Sequence, residues 1–435
     1  MTRIRRTAVA ALLVTSLAGA ACSNNSNDKK DATTGKPSQG ATASAAPELA
    51  IKTSVTDAKV GLIVSSGGPG ADLKDLANGA HVAAFRLNGA KADGSNVELV
   101  VVDDNGTPEG ATAAVTSLVD KGVAGIVYAS TGEQLLAGAA TAAQAGVAVV
   151  YPYADDPRVA EQGATSYLAG PTIAQAAAEL AAHASKANFA KVALVRQAGA
   201  YGDAGKAGLV VAGMTFVSDT PITGDAVDGK AIAAGNPDAV IVWAESGPAL
   251  TVADALSRAG FAGTMLFGDR AAVPAFGHGL AGSLAPAVTD GALSAGSWAG
   301  PELPTSSADA FFLAKKEAVS SGAVSADMSV ADFRSHDAVL ALVKAAEGGA
   351  DRASVLDAIK SVSTSDVSGA IGAPVDFSDQ LGFADNNVAL LTYSNIQDGS
   401  GRYPTDVTAG GHWLAVTGTF TPPAALKGLD NPYGG

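Results

Sequence analysis

Cysteine is almost missing from this chain: Cys22 is the only one in 435 residues. A single thiol excludes an intrachain disulfide and a zinc–thiolate site. Aromatic residues are also scarce, at 5%. Basic side chains are in deficit, with 28 Lys and Arg against 42 Asp and Glu and a formal charge of −14. So acidic a protein repels phosphate backbones and anionic headgroups, and nucleic acid is not expected as a partner. No apolar run reaches the roughly 18–20 residues that a membrane-spanning helix needs. Catalytic signatures are missing too. There is no G-x-S-x-G nucleophile elbow. His81, His183, His278, His336 and His412 form no i, i+4 pair, as a metalloprotease helix would require. Gly67-Gly68-Pro69-Gly70 lacks the Lys-Ser/Thr of a phosphate loop and the spacing of a dinucleotide fingerprint, and reads as a turn before a helix. No enzyme, cofactor or metal is expected.

What is there begins with a targeting pattern. Arg3, Arg5 and Arg6 precede an apolar run from Ala8 to Leu17, and small residues lead into Cys22. A charged region, an apolar region and a small-residue cleavage site make a secretory signal over 1–21. With the cysteine placed there, the segment resembles a bacterial lipoprotein signal. That resemblance implies lipidation of Cys22, a membrane anchor and an extracytoplasmic location. Loss of the three arginines would take the charge from −14 to −17. Residues 22–55 are rich in Ser, Asn, Asp, Thr, Gly and Ala, too polar to offset ordering entropy by burial, and read as a flexible tether.

From Lys59 the pattern becomes α/β. Apolar runs at Val60–Val64, Val97–Val102, Gly125–Tyr128 and Val147–Val150 alternate with helical stretches at Asp72–Asn88, Pro108–Lys121 and Glu133–Ala145. Uniformly apolar strands separated by helices indicate parallel strands covered on both faces. The cadence repeats, with strands expected at Val192–Val195, Met214–Val217, Ala239–Trp243 and Thr264–Phe267 and helices at Thr172–Ser185, near Gly202–Ala212 and at Pro248–Ala259. Two blocks of this size predict two doubly wound domains. After Gly291 come helices at Ala308–Ser321, Ala331–Glu347 and Ala353–Lys360, then strands at Pro374–Phe377, Val388–Ile396 and near His412–Val416. A Pro- and Gly-rich tail over 422–435 is expected to lack order.

Ligands of open parallel sheets bind beyond the carboxyl ends of the strands. Those ends carry Ser65-Ser66, Asp103-Asp104, Ser130-Thr131 and Tyr153-Ala154-Asp155-Asp156 in the first block, and Arg196, Tyr201, Glu245-Ser246 and Asp269-Arg270 in the second. Asp103-Asp104, before Asn-Gly and Pro, reads first as turn and cap chemistry. Ser130-Thr131 lies at a helix start, where capping and anion binding are compatible. Tyr153 reads equally as a stacking surface and as a partly buried strand-end aromatic.

Taken in order, Ser66-Gly67-Gly68-Pro69, Asn78-Gly79-Ala80, Val102-Asp103-Asp104 with Pro108, Ser130-Thr131, Val150-Tyr151-Pro152, Tyr201-Gly202, Arg258-Ala259-Gly260-Phe261, His336-Asp337-Ala338-Val339 and Val367-Ser368-Gly369 resemble the type I periplasmic solute-binding proteins of the leucine/isoleucine/valine-binding family. These are receptors of ABC importers, and amino-acid, amide and urea binders are among them. The resemblance runs from about Lys59 to Thr421. It implies two Rossmann-like lobes joined by three crossovers near Gly170, Ser294 and Gly369, so that 56–169 plus 295–369 form one lobe and 170–294 plus 370–421 the other. It also implies site roles. Ser130 and Thr131 would hold the ligand's polar head, Tyr201 would close over it, and Asp269 would pair with an ammonium. Asp72 would fall near an aromatic wall. Asp155 stands where the family has Ser or Thr for a carboxylate, and Glu245 where an aromatic often sits. Three acids, with Tyr153 beside them, make a cationic ligand or one rich in N–H donors the expectation, such as an amine or an amide.

The leading expectation is thus a monomeric solute-binding lipoprotein that closes on a small-molecule ligand and delivers it to an ABC permease. A ligand sensor of the same fold and a secreted Rossmann-like enzyme are the alternatives.

Overall fold

The computed structural model describes residues 48–91, 96–224, 226–271, 276, 293–297, 305–324, 333–370, 375–383, 388–394 and 412–415. Cys22, residues 22–47 of the expected tether and the tail at 422–435 lie outside them. No described helix is long and apolar enough to cross a membrane.

The first domain contains β1 (Ala58–Val64), α1 (Asn78–Leu87), β2 (Val97–Asp103), α2 (Pro108–Asp120), β3 (Gly125–Tyr128), α3 (Gln134–Ala145), β4 (Ala148–Tyr151), α4 (Arg158–Glu161) and β5 (Ser166–Leu168). Its sheet is parallel throughout, in the order β2-β1-β3-β4-β5. The second contains α5 (Ile173–Lys186), β6 (Val192–Gln197), α6 (Ala200–Val211), β7 (Ser218–Ile222), α7 (Gly229–Ala233), β8 (Ala239–Trp243), α8 (Ser246–Arg258), β9 (Thr264–Phe267) and β10 (Leu293–Ser297). The chain then returns to the first domain with α9 (Thr305–Ser320), α10 (Phe333–Ala346) and α11 (Arg352–Ala358), and ends in the second sheet with β11 (Val388–Ser394) and β12 (His412–Ala415). The second sheet runs β12-β11-β10-β9-β8-β6-β7, parallel from β6 to β10, with β11 and β12 antiparallel.

The physical basis of the two-sided sheets is visible in burial. All residues of β3, β4 and β8 are buried, so helices must cover both faces. Around the first sheet, one core packs α2 and α3 on Ile63, Ile126 and Val149. The opposite face takes α1 and α10 on Val60, Leu62 and Val127. Helix starts are chemically defined. Thr107 caps α2 ahead of Pro108, and Thr172 and Gln175 form a reciprocal capping box at α5, satisfying N–H groups that lack intrahelical partners.

Two expectations are corrected. The strand expected at Met214–Val217 is β7, at Ser218–Ile222. Met214 and Phe216 are partly buried instead, packed against the core that α5 and α6 share. The true strand is a half-exposed edge carrying Pro221, and an edge tolerates both polarity and proline. The third passage between domains was expected near Gly369. Val375, Phe377 and Phe383 still belong to the first domain's core, and Gln380 donates to the carbonyls of Ala160, Gly163 and Ser166. The passage therefore falls between Phe383 and Val388. Of the strand expected at Pro374–Phe377, the described residues 375–377 form isolated bridges, Ser363 with Asp376 and Val375 with Phe383.

Candidate functional site

In each sheet the strand order reverses beside the first strand of the block, between β1 and β3 and between β8 and β6. A crevice opens at such switch points, beyond the strand ends. The loop after β4 carries Asp155 from the first domain. From the second come Tyr201 at the start of α6, Glu245 after β8, and Asp269-Arg270 after β9.

These groups converge on Arg270. Its Nε donates to Asp155 Oδ2 at 2.5 Å and its Nη2 to Asp155 Oδ1 at 2.8 Å, a two-pronged pair across the two domains. Its Nη1 donates to Glu245 Oε1. The guanidinium lies over the Tyr201 ring, 3.9 Å from the centroid. Tyr201 in turn donates its hydroxyl to Asp269 Oδ1 at 2.9 Å and packs on the fully buried Trp243. The Asp155 backbone is held as well, since its carbonyl accepts from Ile173 N at the start of α5. The planar fork of arginine matches a carboxylate edge while its face stacks on an aromatic, which lysine cannot reproduce.

The electrostatics follow from burial and from the two neighbouring acids. Burial, then the Asp155 charge, push Asp269 from its ordinary 3.8 up to about 8, with Arg270 and the Tyr201 hydroxyl opposing. Asp269 therefore holds a proton at neutral pH. Burial also raises the Tyr201 phenol well above its ordinary value. The flanking carboxylates hold Arg270 firmly charged against the burial that opposes it.

A pH effect follows. The folded protein retains a proton on Asp269 that the unfolded chain releases near 3.8. Stability from this group is thus fully present below that value and is lost as pH rises through about 8. Urea unfolding between pH 5 and 9 is expected to show a decline that Asp269→Asn flattens. An unchanged slope in that variant would place the titration elsewhere.

The remaining predicted residues that are described have other partners. Ser130 Oγ bonds Ser65 Oγ at 2.6 Å, beneath Gly70, where a Cβ would come within 2.0 Å of Ser130 Oγ. The Thr131 carbonyl accepts from Gln134 Nε2 at 2.8 Å, and its hydroxyl is enclosed without a hydrogen-bond partner. Tyr153 donates to the Leu76 carbonyl and lies under the Arg334 guanidinium at 4.9 Å. The side chain of Asp72 is outside the described residues. Asp103 accepts from the Ser66 and Asn105 amides, and Asp104 from Gly106 N and the Tyr128 hydroxyl, so both serve their turn and the strand beside it.

Sequence reasoning missed Arg270 and Arg334 as site residues. Arg270 stood in the strand-end set without a role. Arg334 sits in an otherwise unremarkable helix, far in sequence from Tyr153. Arg270 also alters the argument from the acids. Two of the three are answered by one internal cation and the third carries a proton, so their number alone does not call for a cationic ligand.

The sequence profile of the periplasmic binding protein family matches residues 57–400. No curated protein sequence matches the chain. Solved structures share its fold at low identity. An extracellular ligand-binding receptor from Rhodopseudomonas palustris HaA2 is 20% identical over 82% of this chain and 99% of its own, with a TM-score of 0.65. A leucine binding protein from Thermotoga maritima is 20% identical over 78% and 96%, with a TM-score of 0.61. An R. palustris ABC-transporter solute binding protein in complex with 4-hydroxybenzoate is 18% identical over 85% and 98%, with a TM-score of 0.62.

Proposed function

The chain belongs to the periplasmic binding protein family, and on that premise we propose that it is the extracytoplasmic solute receptor of an ABC importer, closing two domains on one small amino-acid-like molecule. The observation that carries this reading is the meeting of Asp155 from one domain with Arg270, and through it Glu245, from the other. Polar groups from the strand ends of both sheets face one another, the arrangement needed to read a ligand from two sides. Such a ligand favours closure by its differential affinity for the closed state, with no covalent step. The related structures named for leucine and 4-hydroxybenzoate support a small amphipathic molecule. The signal-like segment before Cys22 supports a lipid anchor. That part is tested by acyl labelling of cells, which Cys22→Ser should abolish.

The reading is tested by thermal shift and calorimetry with a panel of amino acids and aromatic acids. At a hundredfold excess over Kd a ligand adds about 2.7 kcal/mol to stability. At least one compound is expected to raise the midpoint and to titrate at one per chain. A panel without effect, on protein that carries no small molecule after purification, would refute it.

A further inference from the structure

Arg334 is the second guanidinium at the site, and its surroundings differ from those of Arg270. It is the second residue of α10, a first-domain helix. Its Nη1 donates to the Pro152 carbonyl at 3.0 Å, and its guanidinium covers Tyr153, two residues before Asp155. Its Nε is enclosed and has no hydrogen-bond partner. Among the described residues it forms no ion pair, whereas Arg270 has two. Burial pulls its pKa below the ordinary value, and Tyr153 and Asp269 only partly offset this.

A guanidinium largely screened from water, with no carboxylate paired to it among the described residues, is disfavoured by desolvation. That penalty is relieved by one anionic group placed against the guanidinium. Asp269 of the second domain is close enough to interact with Arg334 electrostatically, and Tyr153 beneath it is two residues from Asp155, which pairs across the domains. The charges already present limit the anion. Arg270 is engaged by Asp155 and Glu245, and a doubly charged phosphate would crowd those carboxylates. A carboxylate carries the single charge that Arg334 leaves unanswered, and its planar edge suits the guanidinium fork.

Resting on the solute-binding reading above, we propose that Arg334 receives a carboxylate of the ligand, with Tyr153 as the aromatic floor beneath the pair. Ligands of this protein are then monocarboxylic acids, and their amides and simple amines bind weakly.

The test uses the full chain and two acid–amide pairs, leucine with leucinamide and 4-hydroxybenzoate with 4-hydroxybenzamide, titrated by calorimetry. In the native protein an acid that binds is expected to do so at least tenfold more tightly than its amide. Arg334→Gln should bring the two within about threefold, and Arg334→Lys should recover part of the preference. A fold defect would weaken both members of a pair and leave their ratio unchanged. Amide binding equal to acid binding, or a preference that survives Arg334→Gln, overturns the inference while leaving solute binding intact. If none of the four binds, mass spectrometry of the small molecule retained by the purified chain decides. A retained carboxylic acid that Arg334→Gln loses supports the assignment, and a retained molecule without a carboxylate overturns it. An empty chain overturns the solute-binding reading and this inference with it.

Discussion

Replacing Arg270 by methionine is expected to lower unfolding stability by about 3–5 kcal/mol, the range for breaking a buried ion pair from one side. The reason is what the substitution leaves behind. The side chains of Arg270, Asp155 and Glu245 are only 10%, 4% and 13% exposed, so water cannot take over from the guanidinium. Methionine keeps the volume and the contact with Tyr201 but leaves two desolvated carboxylates, Asp155 and Glu245, without their cation. The same loss should loosen the domains, since the Asp155 pair spans them, and small-angle scattering should show a larger radius of gyration. A combined variant separates charge from packing. Asp155→Asn, Glu245→Gln and Arg270→Met together remove all three charges, and replacing a whole buried ion pair or triad is often close to neutral. The triple variant is therefore expected to regain most of the lost stability in urea unfolding. A single-variant cost below about 1 kcal/mol would mean that the pair is solvated as surface pairs are.

Gly205→Ala is expected to damage stability and ligand binding together through a single methyl group. Gly205 lies on α6 directly above Trp243, and a Cβ there would come within 2.3 Å of three atoms of the indole. Trp243 is fully buried in the centre of its sheet and cannot swing away. Helix α6 must lift instead, at about 1–3 kcal/mol for overpacking. Tyr201 is one turn earlier on the same face of α6, with its hydroxyl on Asp269 and its ring under Arg270. A lifted helix pulls that ring out of register with both. Calorimetry with a bound solute should show weaker affinity in Gly205→Ala by tenfold or more, alongside a lower thermal midpoint. Gly213→Ala, at the end of the same helix with open space around its Cβ but a positive φ of 91°, is the control. It should lose stability through backbone strain without altering affinity. Equal affinity in Gly205→Ala would show that Tyr201 does not depend on the seating of α6.

The architecture was legible because its cause is local. Runs such as Val149-Val150 and Ala239–Trp243 are apolar at every position, and only a strand covered on both sides satisfies that pattern. Polar residues fell just after those runs, so the strand-end set could be named before any coordinates. Where the rule is not local, the reading slipped. Edge strand β7 carries no apolar run, and the helical and strand-like segments after Gly291 do not say which sheet they join. Phe377 and Phe383 look like any aromatics in sequence; only packing assigns them to the first domain.

The site divides in the same way. Asp155, Tyr201, Glu245 and Asp269 were identifiable as strand-end groups, and each lies where a parallel sheet exposes such residues. What they do to one another was not identifiable. The charge of a carboxylate depends on what lies within a few ångströms, and Asp155 and Arg270 are 115 positions apart in the chain. Sequence alone determined two βα blocks whose polar strand ends would face a common crevice, because hydrophobic periodicity and turn chemistry act over a few residues. Tertiary structure alone decided that one arginine neutralises two of the acids, that the third keeps its proton, and that Arg334 has no ion-pair partner among the described residues. Coulomb attraction and desolvation depend on distance through space, which the order of residues does not record.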